Sequence, residues 1–254
     1  MTPQTMPLER VAVAYFTEAK YESLRMLRAP AFAAPFLLIP VALYAFFGSL
    51  AIPGSGEANP NTPVYLFTGF SVFGVMGPAL FGFGMSVALE REQGLLRLKR
   101  ALPMPAMAYL AAKTLMAMFF SVLTSLSLVA AAIALSPLAL DPARYAGIVA
   151  INVIGTLPFC AIGLFIGARV TGRTAPAVVN LAYLPLIYLS GLFIPLPAGI
   201  RFVALFSPAF HLNQLALSMA GVGSILSVAM HVAALAGVTV LFLGLTARRL
   251  SRLG

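Results

Sequence analysis

Stretches of about twenty mostly apolar residues recur six times along this chain, at approximately 33–52, 62–88, 108–135, 145–168, 176–196 and 224–246. A helix of about 20 residues at 1.5 Å each crosses roughly 30 Å of hydrocarbon, so each run is long enough to span a bilayer. The segments between them break helices. Residues 53–61 read PGSGEANPN, residues 89–107 carry charge and two prolines, Asp141-Pro142 forms a corner, and Arg169 to Pro176 forms a polar hinge. The connection at about 197–223 stays apolar yet is too short for a hairpin of two spans. Charge is correspondingly scarce, with 61% hydrophobic and 9% charged residues among 254, whereas water-facing domains carry roughly 25%. A surface this poor in charge is solvated by lipid. The chain reads as an all-α membrane protein, a six-helix bundle forming one transmembrane domain over 1–254 with no separate soluble domain.

The basic residues set the expected orientation. Arg10, Lys20, Arg25 and Arg28 precede the first span, and Arg91, Arg97, Lys99, Arg100 and Lys113 flank the second loop. Arg169 and Arg173 follow the fourth span, and Arg248, Arg249 and Arg252 follow the last. All of these fall on one side of a six-span arrangement, leaving only Arg144 and Arg201 on the other. By the positive-inside rule both termini are expected in the cytoplasm. The mixed charges before the first span do not read as a signal peptide, so that span is expected to remain. Within residues 8–28, Val13, Phe16, Lys20, Leu24 and Leu27 share one helical face, and Glu9, Glu18, Glu22 and Arg25 lie mostly off it. This pattern suits an amphipathic helix at the membrane interface with Lys20 snorkelling; a solvated arm is the alternative.

Several function classes fall away. Glu57, Asp141, Arg144 and Arg201 lie in external loops and Lys113 lies near a helix end, so the spans lack the carboxylate that ion-coupled carriers keep. Neither HExxH nor a P-loop is present, and His211 and His231 have no motif partner. The single Cys160 reads as a small core hydrophobe. The net charge of +9 gathers at segment ends, which is topology rather than a nucleic-acid face. No catalytic, cofactor or metal site is therefore expected on this chain. Energy must come from elsewhere, or the protein is a passive channel. Small residues line one side of three spans: Gly74, Pro78, Gly82 and Ser86; Gly155, Gly163 and Gly167; Ala229, Ala233 and Gly237. Such ridges serve packing within one subunit or pairing between two. Asn152, Thr156 and Asn180 are either interhelical hydrogen-bond partners or substrate ligands.

The most informative stretch is Leu89 to Pro105, LEREQGLLRLKRALPMP. Leu95, Leu96, Leu98 and Leu102 against Arg97, Lys99 and Arg100 give an apolar side to a helix of about two turns, ended by Pro103. Such a helix lies on the membrane or docks into a partner. The run through Glu90, Arg91, Glu92, Gly94, Leu95, Leu96 and Pro103 to Lys113 resembles the hallmark segment of the membrane (permease) subunits of ABC-2 type ATP-binding-cassette exporters. A later run, marked by Pro185, Ser190, Gly191, Pro195, Pro197 and Ser207-Pro208, is similar to that family's fifth span and the external segment after it. The family commonly has Asn where this chain has Ser207.

The resemblance implies a permease in the bacterial cytoplasmic (inner) membrane, paired with a second permease copy and served by separate ATP-binding subunits that hold ATP and Mg. Glu90, Arg91, Glu92, Gly94, Leu95, Leu96, Arg97, Leu98, Leu102 and Pro103 would form the coupling helix and its attachment. Glu90 and Glu92 would orient it through charged hydrogen bonds to the partner or to the N-terminal helix. Pro197, Ser207 and Pro208 would mark an external re-entrant segment, and Asn152, Thr156, Asn180, Tyr183 and Ser190 a translocation pathway. The apolar spans lean toward a hydrophobic or amphiphilic substrate such as a drug, an antibiotic or a lipid-like molecule. Export of polysaccharide or lipid-linked glycan, and an uncoupled channel or facilitator, are the alternatives.

Overall fold

The computed structural model describes residues 8–51, 61–101, 106–135, 138, 140–191 and 199–250. Among these residues every regular element is a helix: α1 (Leu8–Leu27), α2 (Pro30–Ala51), α3 (Thr62–Glu92), α4 (Leu95–Ala101), α5 (Ala106–Leu135), α6 (Pro142–Ile154), α7 (Leu157–Gly167), α8 (Ala175–Leu189), α9 (Arg201–Ala204), α10 (Pro208–Ala220) and α11 (Val228–Leu250). Proline sets many of the boundaries. Its missing N–H costs nothing in a first turn, and α3, α6, α7, α8 and α10 each carry one there.

Five crossings among the described residues are long and apolar enough to span a membrane: Pro30–Gly48, Thr62–Glu92, Met107–Leu135, Pro142–Gly167 and Val228–Arg248, with Ala175–Leu189 as a shorter apolar helix. The chain is a multi-pass, all-α membrane protein. The Pro142–Gly167 crossing is interrupted at Gly155-Thr156, because Pro158 cannot donate to the preceding turn. The last helix starts at Val228 rather than near 224, since Gly221 (φ 91°) and Gly223 (φ 90°) turn the chain first.

α3 is the axis of the bundle. It has no polar face, and 72% of its apolar window is buried against the other helices, compared with 22% for Pro30–Gly48 and 11% for α11. The peripheral helices turn Leu38, Phe46, Val240 and Leu241 outward, the arrangement expected where the solvent is hydrocarbon. α7 approaches α3 most closely. A Cβ on Gly163 would meet the Ala79 and Leu80 carbonyl oxygens at 3.0 Å, and one on Gly167 would meet the Gly84 oxygen at 2.7 Å. This ridge is intramolecular. Gly237 of α11 has open space around it instead, and Ala229 and Ala233 are exposed beside it. Gly167→Leu should therefore cost about 1–3 kcal/mol through forced separation of α3 and α7, whereas Gly237→Leu should be nearly neutral. Thermal unfolding of both variants in mild detergent checks this, and equal midpoints would contradict it.

At the other end of α5 from α1 and α4, α10 is buried along its length among α3, α6, α8 and α11. Arg144 donates to the Ala220 carbonyl at 2.8 Å, and the Gln214 side-chain oxygen accepts from Ile225 N at 3.0 Å.

Candidate functional site

The last turn of α3 carries Glu90, Arg91 and Glu92 in sequence. Successive helical residues point about 100° apart, so the three side chains leave in three directions. Arg91 reaches the end of α7, donating to the Ala168 carbonyl and, at 2.6 Å, to that of Val170. It thus satisfies two carbonyls that the helix end leaves without backbone donors. Glu92 accepts from Gly172 N at 2.8 Å. Glu90 turns inward and is almost fully buried.

Burying a carboxylate costs several kcal/mol unless it is paired and fully hydrogen-bonded. Glu90 meets that condition. Its Oε1 lies 2.8 Å from Arg25 Nη2 and 3.0 Å from Lys113 Nζ, and its Oε2 accepts from the Tyr109 hydroxyl at 2.6 Å. Glu22 of α1 shares the same cations, with Oε1 2.7 Å from Arg25 and 2.7 Å from Lys113. Lys113 is 0% exposed, and its ammonium has three N–H groups to satisfy. They go to Glu22, Glu90 and, at 2.8 Å, Ser86 Oγ. Two carboxylates thus face two cations, and the set is neutral. It opens to the surface at Arg25, whose side chain is 47% exposed.

α4 leaves this cluster through a sharp corner. Gly94 adopts φ 75°, a left-handed conformation that costs an L side chain roughly 1–2 kcal/mol. Lys99 of α4 then pairs with Glu18 of α1 and lies 4.6 Å from the centre of the Tyr109 ring. α1, the end of α3, α4 and the start of α5 are consequently fastened by one set of charges. Leu95 and Leu96 are half-buried, and Leu98 is 62% exposed. The Arg97 side chain, Leu102 and Pro103 lie outside the described residues, as does Pro197.

Sequence reasoning put Val13, Phe16, Lys20, Leu24 and Leu27 on one face of α1; Val13, Phe16 and Lys20 are exposed, and Leu24 and Leu27 are half-buried. It placed Lys113 near a helix end as a topology charge and left Glu18 and Glu22 without partners. The structure makes Lys113 the hub and gives both glutamates to cations. The signal was a lysine inside an apolar run, since a cation at that depth requires a carboxylate. The two histidines, which share no motif, also meet in space. Their Nδ1 atoms are 2.8 Å apart, and His211 Nε2 lies 2.8 Å from the Leu205 carbonyl. A carbonyl accepts only, so His211 donates from Nε2 to Leu205. The contact between the two histidines ties α10 to α11.

The five proposed pathway residues differ in their surroundings. Asn152 is buried and donates to Ser71 Oγ and, at 3.3 Å, to Ser125 Oγ. Thr156 bonds back to the Asn152 carbonyl at 2.9 Å, and Ser190 Oγ to that of Ile187 at 2.6 Å. Tyr183 is buried with its hydroxyl 3.4 Å from the Phe73 carbonyl. Asn180 faces outward on α8, donating to Pro176 O at 3.1 Å. At the start of α10, Ser207 and Pro208 are buried. Asn152→Leu should cost about 1 kcal/mol by stranding two serines between α3, α5 and α6; unfolding in detergent with an unchanged midpoint would contradict that bridging role.

The described residues form eleven helices, five crossings of which are long and apolar enough to span a membrane, with a buried ion cluster at the end of α3. The model of the family described as "ABC-2 type transporter" matches residues 14–220, and the chain belongs to that family. It is similar to a "putative transport permease" of Bacillus subtilis (strain 168), YvfS, with 27% identity over 206 residues covering 80% of this chain and 84% of that protein. The chain is a transmembrane transporter component, and membership implies association with an ATP-binding subunit.

Proposed function

We propose that this chain is the membrane subunit of an ATP-driven exporter, working as a pair of permease copies above two nucleotide-hydrolysing subunits. Both termini and α4 face the cytoplasm, in the inner membrane of a bacterium. The cargo is a small hydrophobic or amphiphilic molecule, such as a drug, an antibiotic or a lipid-like compound. ATP and Mg belong to the partner.

The observation that carries this reading is the fastening of α4. A segment that receives force must pass it on, and a loosely tethered helix would dissipate it. Lys99–Glu18 holds α4 to α1, and Glu22, Arg25, Glu90 and Lys113 hold α1 to α3 and α5. A push on α4 therefore moves the axis of the bundle. Glu90, Arg91 and Glu92 anchor this lever. Gly94 forms its corner, and Leu95, Leu96 and the exposed Leu98 meet the motor. A passive facilitator has no need of such a device.

Cargo crosses between the two permease copies. Asn152, Thr156, Tyr183 and Ser190 support that route by shaping the helices beside it, and outward-facing Asn180 by contributing to it. The segment around Ser207 and Pro208 closes the outer end. Affinity purification of the full chain from native membranes in mild detergent tests the proposal. A P-loop ATPase is expected to co-elute, and transport in vesicles is expected to require it. Solute flux through the chain alone would overturn the proposal.

A further inference from the structure

The cluster and α10 leave one large concavity unused. A groove of about 470 Å³ runs between α5, α7 and α11, with Phe83 of α3 at its floor and Tyr15 of α1 at its mouth. Its volume falls within the range of ordinary ligand sites. The groove lies in the half of the bundle that holds α1 and α4. Along α5 it extends from Met107 to Leu115, about 12 Å at 1.5 Å per residue. One leaflet of hydrocarbon is about 15 Å deep, half of the bilayer core.

The lining offers a polar solute little to bond. Thr114 and Thr239 are its hydroxyl side chains besides Tyr15, and each bonds a carbonyl one turn back, Leu110 at 3.0 Å and Leu235 at 2.8 Å. The remaining surface is Leu, Met, Ala, Phe and the Cys160 thiol. Met107 is 63% exposed and Leu115 47% exposed, so the long side opens toward lipid. Such a site accepts an alkyl chain and discriminates against anything that needs hydrogen bonds.

Two arginines lie beyond the Leu164 and Leu243 end of the groove. Arg169 lies just beyond the α7 wall and bridges to the α11 wall. It donates to the Phe165 carbonyl at 3.1 Å and to the Leu245 carbonyl at 3.4 Å, with its guanidinium 3.5 Å from the Phe165 ring centre. Phe165 follows the groove-lining Leu164 directly, and Leu245 lies two residues beyond the groove-lining Leu243. Arg248 is exposed one turn further along α11. An alkyl slot one leaflet deep, with a cation at headgroup level, has the chemistry of a phospholipid.

We propose that this groove is a binding site for an anionic phospholipid of the leaflet on the α1 side, with one acyl chain between α5, α7 and α11 and the phosphate at Arg169. Held there, the lipid would wedge α5 against α11 and connect the lever region to the membrane's composition.

The chain contains no tryptophan, so an introduced one reports its local lipid alone. Leu115→Trp stands at the groove rim. Val240→Trp, at a position 70% exposed on α11, reports the surrounding bilayer. The full chain would be placed in phosphatidylcholine vesicles containing rising fractions of brominated-chain phosphatidylglycerol or brominated-chain phosphatidylcholine. At Leu115→Trp the anionic lipid is expected to quench at about a fivefold lower mole fraction, the preference that one basic residue confers near a surface. At Val240→Trp the two quenching curves should coincide. Arg169→Gln should merge the curves at Leu115→Trp, Arg169→Lys should keep them apart, and Ala111→Phe, which fills the groove from its open side, should abolish the preference. Coincident curves at Leu115→Trp, an equal preference at Val240→Trp, or a preference that survives Arg169→Gln or Ala111→Phe would overturn the proposal.

Discussion

Replacing Lys113 with methionine should reduce the amount of folded protein more than any other single change in the bundle. The ammonium is 0% exposed and gives its three N–H groups to Glu22, Glu90 and Ser86. Methionine fits the volume but removes the positive charge, leaving two carboxylates on one remaining cation, Arg25, which is half in solvent. Removing one partner from a buried ionic set costs about 3–5 kcal/mol, because the surviving charge is left uncompensated. The double variant Lys113→Met with Glu90→Gln restores neutrality and should recover a large part of that loss. Fluorescence-detected size exclusion and thermal unfolding in detergent would measure both. A single variant as stable as the parent, or a double variant no better than the single, would show that the cluster does not hold the lever.

Leu98→Asp should have the opposite signature, with folding intact and transport lost. Leu98 is 62% exposed on a helix otherwise fastened by its flanks, so aspartate disturbs no packing within the subunit. At a docking surface it would place a charge against an apolar groove. Hot-spot residues of this kind contribute 2 kcal/mol or more to a complex, a loss of about thirtyfold in affinity. Nucleotide-driven transport in vesicles should fall by a comparable factor, while membrane insertion and thermal midpoint stay unchanged. Full transport with Leu98→Asp would remove α4 from the coupling path. Deleting Gly94 to Leu96 should abolish transport too, since it removes the φ 75° corner from which α4 starts.

Much of this architecture was legible in the sequence because the membrane makes a severe demand on it. Runs such as 108–135 have one physical explanation, and proline at 142, 176 and 208 punctuates the helices where it stands. The interruption at Thr156 was less visible, since Pro158 inside an apolar run reads as a kink or as a break. The charged anchor was half legible. Glu90, Arg91 and Glu92 stand out by composition, yet nothing local says that they point to three different elements. Lys113 pairs with Glu22 across 91 residues, a separation no periodicity reveals. The His211–His231 contact was hidden for the same reason, as was Arg169 reaching the Leu245 carbonyl. Residues whose roles depend on a neighbour far along the chain are found only once the helices are packed.

Site-directed cross-linking from Leu98→Cys in native membranes tests the central claim most directly, because Cys160 is buried and leaves the new thiol as the accessible one. The expected product joins this chain to a nucleotide-hydrolysing subunit and diminishes with Leu98→Cys in a Lys99→Glu background, where α4 is repelled from Glu18. Labelling of the same thiol by a membrane-impermeant reagent outside intact cells, or absence of the product while that subunit is bound, would contradict it.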